Sequence, residues 1–116
     1  MATNIINLVR GDTFSFRLNV DDNSAEDGLY RLTDYDALYL GVTLPHQPFE
    51  HAIIKKKYTK ADQLKDGNII AKFIPEDTVD LLPGVYYYSV KLRQNIGTDY
   101  ESVTTVINKT KLVLND

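Results

Sequence analysis

Apolar and polar residues alternate along most of this chain, and the period is two. Phe14, Phe16, Leu18 and Val20 alternate with Ser15, Arg17 and Asn19. Leu38, Leu40, Val42 and Leu44 alternate with Tyr39, Gly41 and Thr43, and Tyr86, Tyr88, Val90 and Leu92 with Tyr87, Ser89 and Lys91. Successive side chains of a strand point to opposite faces, so each set predicts a half-buried strand. Further strands are predicted over 4–9, 29–32, 52–58, 69–74, 102–107 and 110–114. Gly11-Asp12 and Asp66-Gly67-Asn68 read as turns, and 94–99, around Gly97, as a hairpin loop. Residues 21–28 are polar and acidic with no apolar period, which predicts a loop. Pro45 and Pro48 end the Leu38 strand, because proline cannot donate to a ladder.

Helical signals are short. Thr59 with Asp62 three residues on predicts a capped helical turn over 59–64, and Pro75 near a start predicts a second short helical turn over 75–82. Pro83-Gly84 predicts a tight turn: proline presets φ and glycine supplies a positive one. It feeds the strand that carries Tyr86, Tyr87 and Tyr88, an arrangement similar to the corner of immunoglobulin-like domains. The pattern predicts an all-β fold, an immunoglobulin-like antiparallel β-sandwich of about seven to nine short strands. One domain over 1–116 is expected, with Phe14, Phe16, Leu38, Leu40, Phe73, Tyr86 and Tyr88 inward.

Composition narrows the chemistry. The 116 residues include no cysteine, so disulfides and thiolate metal sites are ruled out. A net charge of −3 argues against nucleic acid as partner. No apolar run reaches the length of a membrane span, and no secretory signal is read at the start. His46 and His51 have only Glu50 beside them, too few ligands for a metal. The acidic run from Asp21 to Asp27 fails the helix–loop–helix calcium pattern: Glu26 stands at its glycine position and Leu32 at its closing glutamate. Ser15, Ser24, Ser89 and Ser102 lie in no nucleophile elbow. Asp34 and Asp36 could share one strand face, but Thr33-Asp34-Tyr35-Asp36 reads better as a side-chain-capped turn. No enzyme activity and no cofactor or metal is expected.

Binding is the remaining class. By alternation Tyr39 and Tyr87 point outward, on strands expected to be neighbours in one sheet, with Lys91 on the same face. Outward tyrosines make a contact surface of low side-chain entropy, unless they simply pack on each other across strands. Lys55-Lys56-Lys57 reads either as a charged, protected sheet edge or as a contact for an acidic partner. The interface candidates are therefore Tyr39, Tyr87, Lys91, Lys55 and Lys57.

Several segments, in order, resemble small structural proteins of tailed bacteriophages: baseplate upper proteins in their N-terminal part, and head-fibre or auxiliary capsid proteins. They are Arg10-Gly11-Asp12-Thr13-Phe14, Leu32-Thr33-Asp34-Tyr35-Asp36 before Tyr39-Leu40-Gly41-Val42, and Gln47-Pro48-Phe49-Glu50 leading into Ala52-Ile53-Ile54-Lys55-Lys56-Lys57. Leu82-Pro83-Gly84-Val85-Tyr86-Tyr87-Tyr88 and Thr104-Thr105-Val106-Ile107 complete the set. The resemblance implies an immunoglobulin-like sandwich in the virion, made in the host cytoplasm. Its implied partners are capsid or baseplate subunits, or another copy of itself. Longer relatives carry a fibre shaft and a receptor-binding head. Their lack here leads us to expect capsid decoration or head-fibre anchoring before a baseplate or tail adaptor role. A standalone glycan-binding module, with Tyr39 and Tyr87 as stacking platforms, is the other alternative.

Overall fold

The computed structural model describes residues 5–116, so Asn4, the expected start of the first strand, lies outside it. Among the described residues seven strands form: β1 (Ile6–Val9), β2 (Phe14–Leu18), β3 (Ala37–Thr43), β4 (Ile54–Tyr58), β5 (Ile69–Phe73), β6 (Gly84–Gln94) and β7 (Ser102–Asn115). A four-residue helix, α1 (Pro75–Thr78), and 3-10 turns at Phe49–His51 and Lys60–Asp62 complete the described elements. The fold is thus mostly β. Five strands make one sheet in the order β1-β7-β6-β3-β4, and β2 pairs antiparallel with β5 in a second. The large sheet is mixed, not antiparallel throughout, because β1 runs parallel to β7.

The alternating sets meet between the sheets. Leu38, Leu40 and Val42 of β3 and Tyr86, Tyr88, Val90 and Leu92 of β6 are buried with Ile69, Ala71 and Phe73 of β5. Phe16 of β2 stacks on Phe73 at 5.8 Å and meets Tyr88 edge-on at 6.3 Å, which joins the two sheets. Phe14 and Phe16 point inward as expected, but they are only half-buried and pack on the rim of the core. The small sheet has just two strands and leaves its β2 side less covered.

Other expectations need local correction. Leu29 to Leu32 is not a strand; a single bridge links Leu29 to Asp21. The predicted strand over 52–58 starts at Ile54, after the 3-10 turn. The expected strands over 102–107 and 110–114 are one strand with two irregularities. Tyr88 pairs with Thr110 and Val90 with Ile107, so Ser89 alone faces Asn108 and Lys109; Val106 is the second extra residue. Such bulges bend a strand and let the sheet curl. Gly84 has φ +155°, positive as expected, but it is already the first residue of β6, opposite Leu114. The tight turn at Pro83-Gly84 is therefore a bend into a strand. Its anchor is Tyr86, whose hydroxyl donates to the Leu82 carbonyl at 2.5 Å.

The capped turn at Thr59 forms as expected, and the helical turn expected over 75–82 forms with proline at its start but ends at Thr78. The Thr59 N–H donates to the Asp62 carboxylate at 2.8 Å, and the Ile74 N–H to Asp77 at 2.9 Å. Asp36 accepts from the Thr33 N–H at 2.9 Å, the Tyr30 hydroxyl at 2.6 Å and the Asn95 N–H at 3.2 Å. Burial alone would push this carboxyl up. The hydrogen bonds from Thr33, Tyr30 and Asn95 outweigh it and hold Asp36 below the usual carboxylate range. Asp36 thereby ties the 33–36 turn to the loop between β6 and β7. Asp34 instead lies exposed, 3.7 Å from Lys60, so the two carboxylates share no cleft.

Candidate functional site

The outward positions of β3, β4 and β6 come together because the register fixes them. Tyr39 of β3 sits between Lys57 of β4 and Lys91 of β6. In the next outward row Gly41 sits between Lys55 and Ser89, and beyond it Thr43 pairs with Tyr87. The two strands are neighbours, as the sequence predicts, and all five interface candidates lie on one face. Tyr39 and Tyr87 are nevertheless four residues apart along the strands, roughly 13 Å. Among the described residues no ring contact joins them, so cross-strand stacking of the pair does not occur.

The middle of that face is occupied. The connection from β3 to β4 brings Phe49 onto Gly41; a Cβ on Gly41 would stand 2.7 Å from the Phe49 ring and 3.2 Å from the Ala52 Cβ. Gly41 is thus a strand glycine kept bare for a close approach. Gly41, Thr43 and Ser89 are all buried although they point away from the core. Lys109 reaches from β7 and donates to the Gln47 carbonyl at 3.2 Å, fastening the same connection. The face is thereby divided, with Tyr39 and the lysines on one side and Tyr87, paired with Lys111 of β7, on the other.

The Tyr39 half has the richer geometry. The Lys91 ammonium stands 5.0 Å from the Phe49 ring centroid and the Lys57 ammonium 5.9 Å from that of Tyr39. Both distances suit a cation–π contact. A cleft of about 300 Å³ opens here, lined by Tyr39, Leu40, Phe49, Glu50, Lys55 and Lys56. Lys55 and Lys57 are exposed, whereas Lys56 turns to the other face of β4 and pairs with Asp77 at 2.7 Å. Among the described residues no ion pair engages Lys55, Lys57 or Lys91. At the upper rim Arg93 pairs with Glu101 at 3.0 Å. The Glu101 carboxylate, with the Tyr39 hydroxyl behind it, raises the Arg93 guanidinium. Phe49 was the residue that alternation could not find, since it lies in a loop. The one signal for it was Gly41, a glycine inside a β-rich run.

Elsewhere the candidates stay apart or serve the fold. His46 and His51 are both exposed, and among the described residues no group of three or more His, Cys, Asp or Glu could hold a metal ion. In the acidic loop Asp22 accepts from the Ser24 N–H and hydroxyl, and Asp27 pairs with Arg31 at 2.7 Å. These bonds lower both carboxyls and shape local turns. Ser89 is buried opposite Gly41. A second cavity, about 470 Å³, lies beside the Val106 bulge and is lined by Val20, Asp21, Asp22, Tyr30, Gln94 and Thr104 among others. The chain matches no known protein family, and no curated protein is found to be similar to it. No helix among the described residues is long and apolar enough to cross a membrane.

Proposed function

We propose that this chain is an immunoglobulin-like binding module and a structural protein of a tailed-phage virion, attached through the outer face of its large sheet. The observation that carries the binding reading is the Tyr39 half of that face. Rigid strands there hold aromatic rings beside three ammonium groups, two of them within cation–π distance of a ring and none in an ion pair among the described residues. A preorganised patch of tyrosine and cation loses little entropy on docking, which suits an anchor. The virion setting comes from the ordered segments that resemble phage capsid and baseplate proteins. An auxiliary capsid role, decoration or head-fibre anchoring, is the preferred placement.

Three features support the immunoglobulin-like reading. The strands divide into a β2–β5 sheet and a larger one holding β3, β6 and β7, the two-sheet division of that fold. The Tyr86 hydroxyl bonds back to Leu82, as the corner tyrosine does in such domains. Two residues on, where antibody domains carry a cysteine, Tyr88 meets Phe16 of the opposite sheet.

The test is particle incorporation. The double change Tyr39→Ser with Tyr87→Ser should leave a native circular-dichroism spectrum and remove the protein from purified particles. The single changes then show which half of the divided face matters, and Tyr39→Ser is expected to account for most of the loss. Normal incorporation of the double variant would sink this face as the attachment surface.

A further inference from the structure

We infer that the sheet edge at β4, beside the Tyr39 cleft, takes an extended acidic segment of the partner with carboxylates at alternate positions. The inference rests on the reading of the outer face as an attachment surface and names the chemistry of what attaches. β4 is an end strand of the large sheet, so among the described residues one side of its backbone has no sheet partner. Such an edge can accept an added strand from another protein. Lys55 and Lys57 are two residues apart and project to the same face. An extended segment repeats with the same period, so acidic residues at i and i+2 would lie opposite both ammonium groups.

The intervening residue sharpens the match. Lys56 is turned to the other face and already neutralised by Asp77 at 2.7 Å. The charge offered to a partner therefore alternates along the strand. Lysines on an edge repel most strands that might add there; an acidic strand is the class they admit. Among the described residues Glu50 is the one acidic residue lining the cleft, which Lys55 and Lys56 also line, with Lys57 and Lys91 close by on the Tyr39 and Phe49 rings. A basic, aromatic sheet face could also suit single-stranded nucleic acid, but that mode stacks bases on open ring faces. Here the Lys57 ammonium stands 5.9 Å over the Tyr39 ring and that of Lys91 5.0 Å over the Phe49 ring, so a base would have to displace an ammonium group to stack on that side of either ring.

The probe is a labelled peptide of alternating threonine and glutamate, titrated with the full chain and read by fluorescence anisotropy. Controls are a peptide of equal composition with its glutamates in one block, and an oligothymidylate. The alternating peptide should bind best and weaken by more than about tenfold between about 50 mM and 500 mM salt. Lys55→Glu with Lys57→Glu should abolish binding, while Lys55→Arg with Lys57→Arg should retain it. Equal binding by the reversed variant, no binding of the alternating peptide, or tighter binding of oligothymidylate would each overturn the inference. Incorporation assays on the same variants separate the two levels. If the peptide fails but particles still require Tyr39, the acidic-segment inference falls and the attachment face stands. If particles tolerate both the lysine and the tyrosine changes, the face itself falls.

Discussion

The two faces of β3 are made from neighbouring residues and obey different rules. Leu38, Leu40 and Val42 point inward and are buried among the side chains of β5 and β6. Tyr39, Gly41 and Thr43 point outward, yet Gly41 and Thr43 are as buried as the leucines. The inner face is buried by the second sheet. The outer face is partly buried by a loop, the connection that carries Phe49 and that Lys109 fastens. Alternation therefore fixes direction, whereas exposure depends on what the chain folds across the strand afterwards.

The largest effect should come from the inner face. Leu40→Ala is expected to cost about 2–5 kcal/mol, as lost transfer energy plus the cavity left behind. Urea unfolding followed by far-ultraviolet circular dichroism measures it. A cost below about 1 kcal/mol would mean that the two sheets close over the gap, and that the contrast between the faces is weaker than their burial suggests.

The adjacent outward position should respond for the opposite reason. Gly41→Val fills space that Phe49 already occupies, where a Cβ would come to 2.7 Å from the ring. The expected cost is about 1–3 kcal/mol, because overpacking forces the ring or the strand to move. The signature is local: the Phe49 ring leaves the Lys91 ammonium, and their nuclear Overhauser contacts disappear while those of Leu40 persist. If the Phe49 contacts survive the change, the loop does not lie on the strand as described.

That contrast also separates what was legible in the sequence from what was not. The strands of the core, the capped turns at Thr59 and Pro75, and the Thr33–Asp36 turn rest on signals within a few residues, and all could be read. The parallel pairing of β1 with β7 could not, because strand direction in a sheet is set by the route of the chain and not by alternation. Asn108-Lys109 interrupts the apolar period and reads as a gap; only pairing with β6 reveals a bulge in a continuous strand. Tyr39, Lys91, Lys55 and Lys57 were legible as outward residues, since period two requires it. Their grouping around Phe49 was not, because a loop residue has no period to place it. Tyr39 and Tyr87 were legible as neighbours in strand order but not in register, and register is what keeps them apart.

The smallest effect probes whether the outer face is dry beneath its loop. The Thr43 hydroxyl is buried and, among the described residues, has no hydrogen-bond partner. Burying a hydroxyl without a partner costs free energy, and valine has nearly the same shape without that cost. Thr43→Val should therefore stabilise the protein, by about 1 kcal/mol, with no change in the position of Phe49. The measurement is the urea midpoint at constant slope, so that a shift reports stability and not a change in the unfolded state. A destabilised variant would mean that water or a rotated carbonyl reaches the hydroxyl, and that the connection over β3 opens in solution. Amide exchange over residues 44–53 decides between them. Slow exchange at Gln47 and Ala52 accompanies a dry face that behaves as a second, smaller core. Fast exchange there would make the Tyr39 half and the Tyr87 half one continuous surface, and both tyrosines would then be needed for attachment.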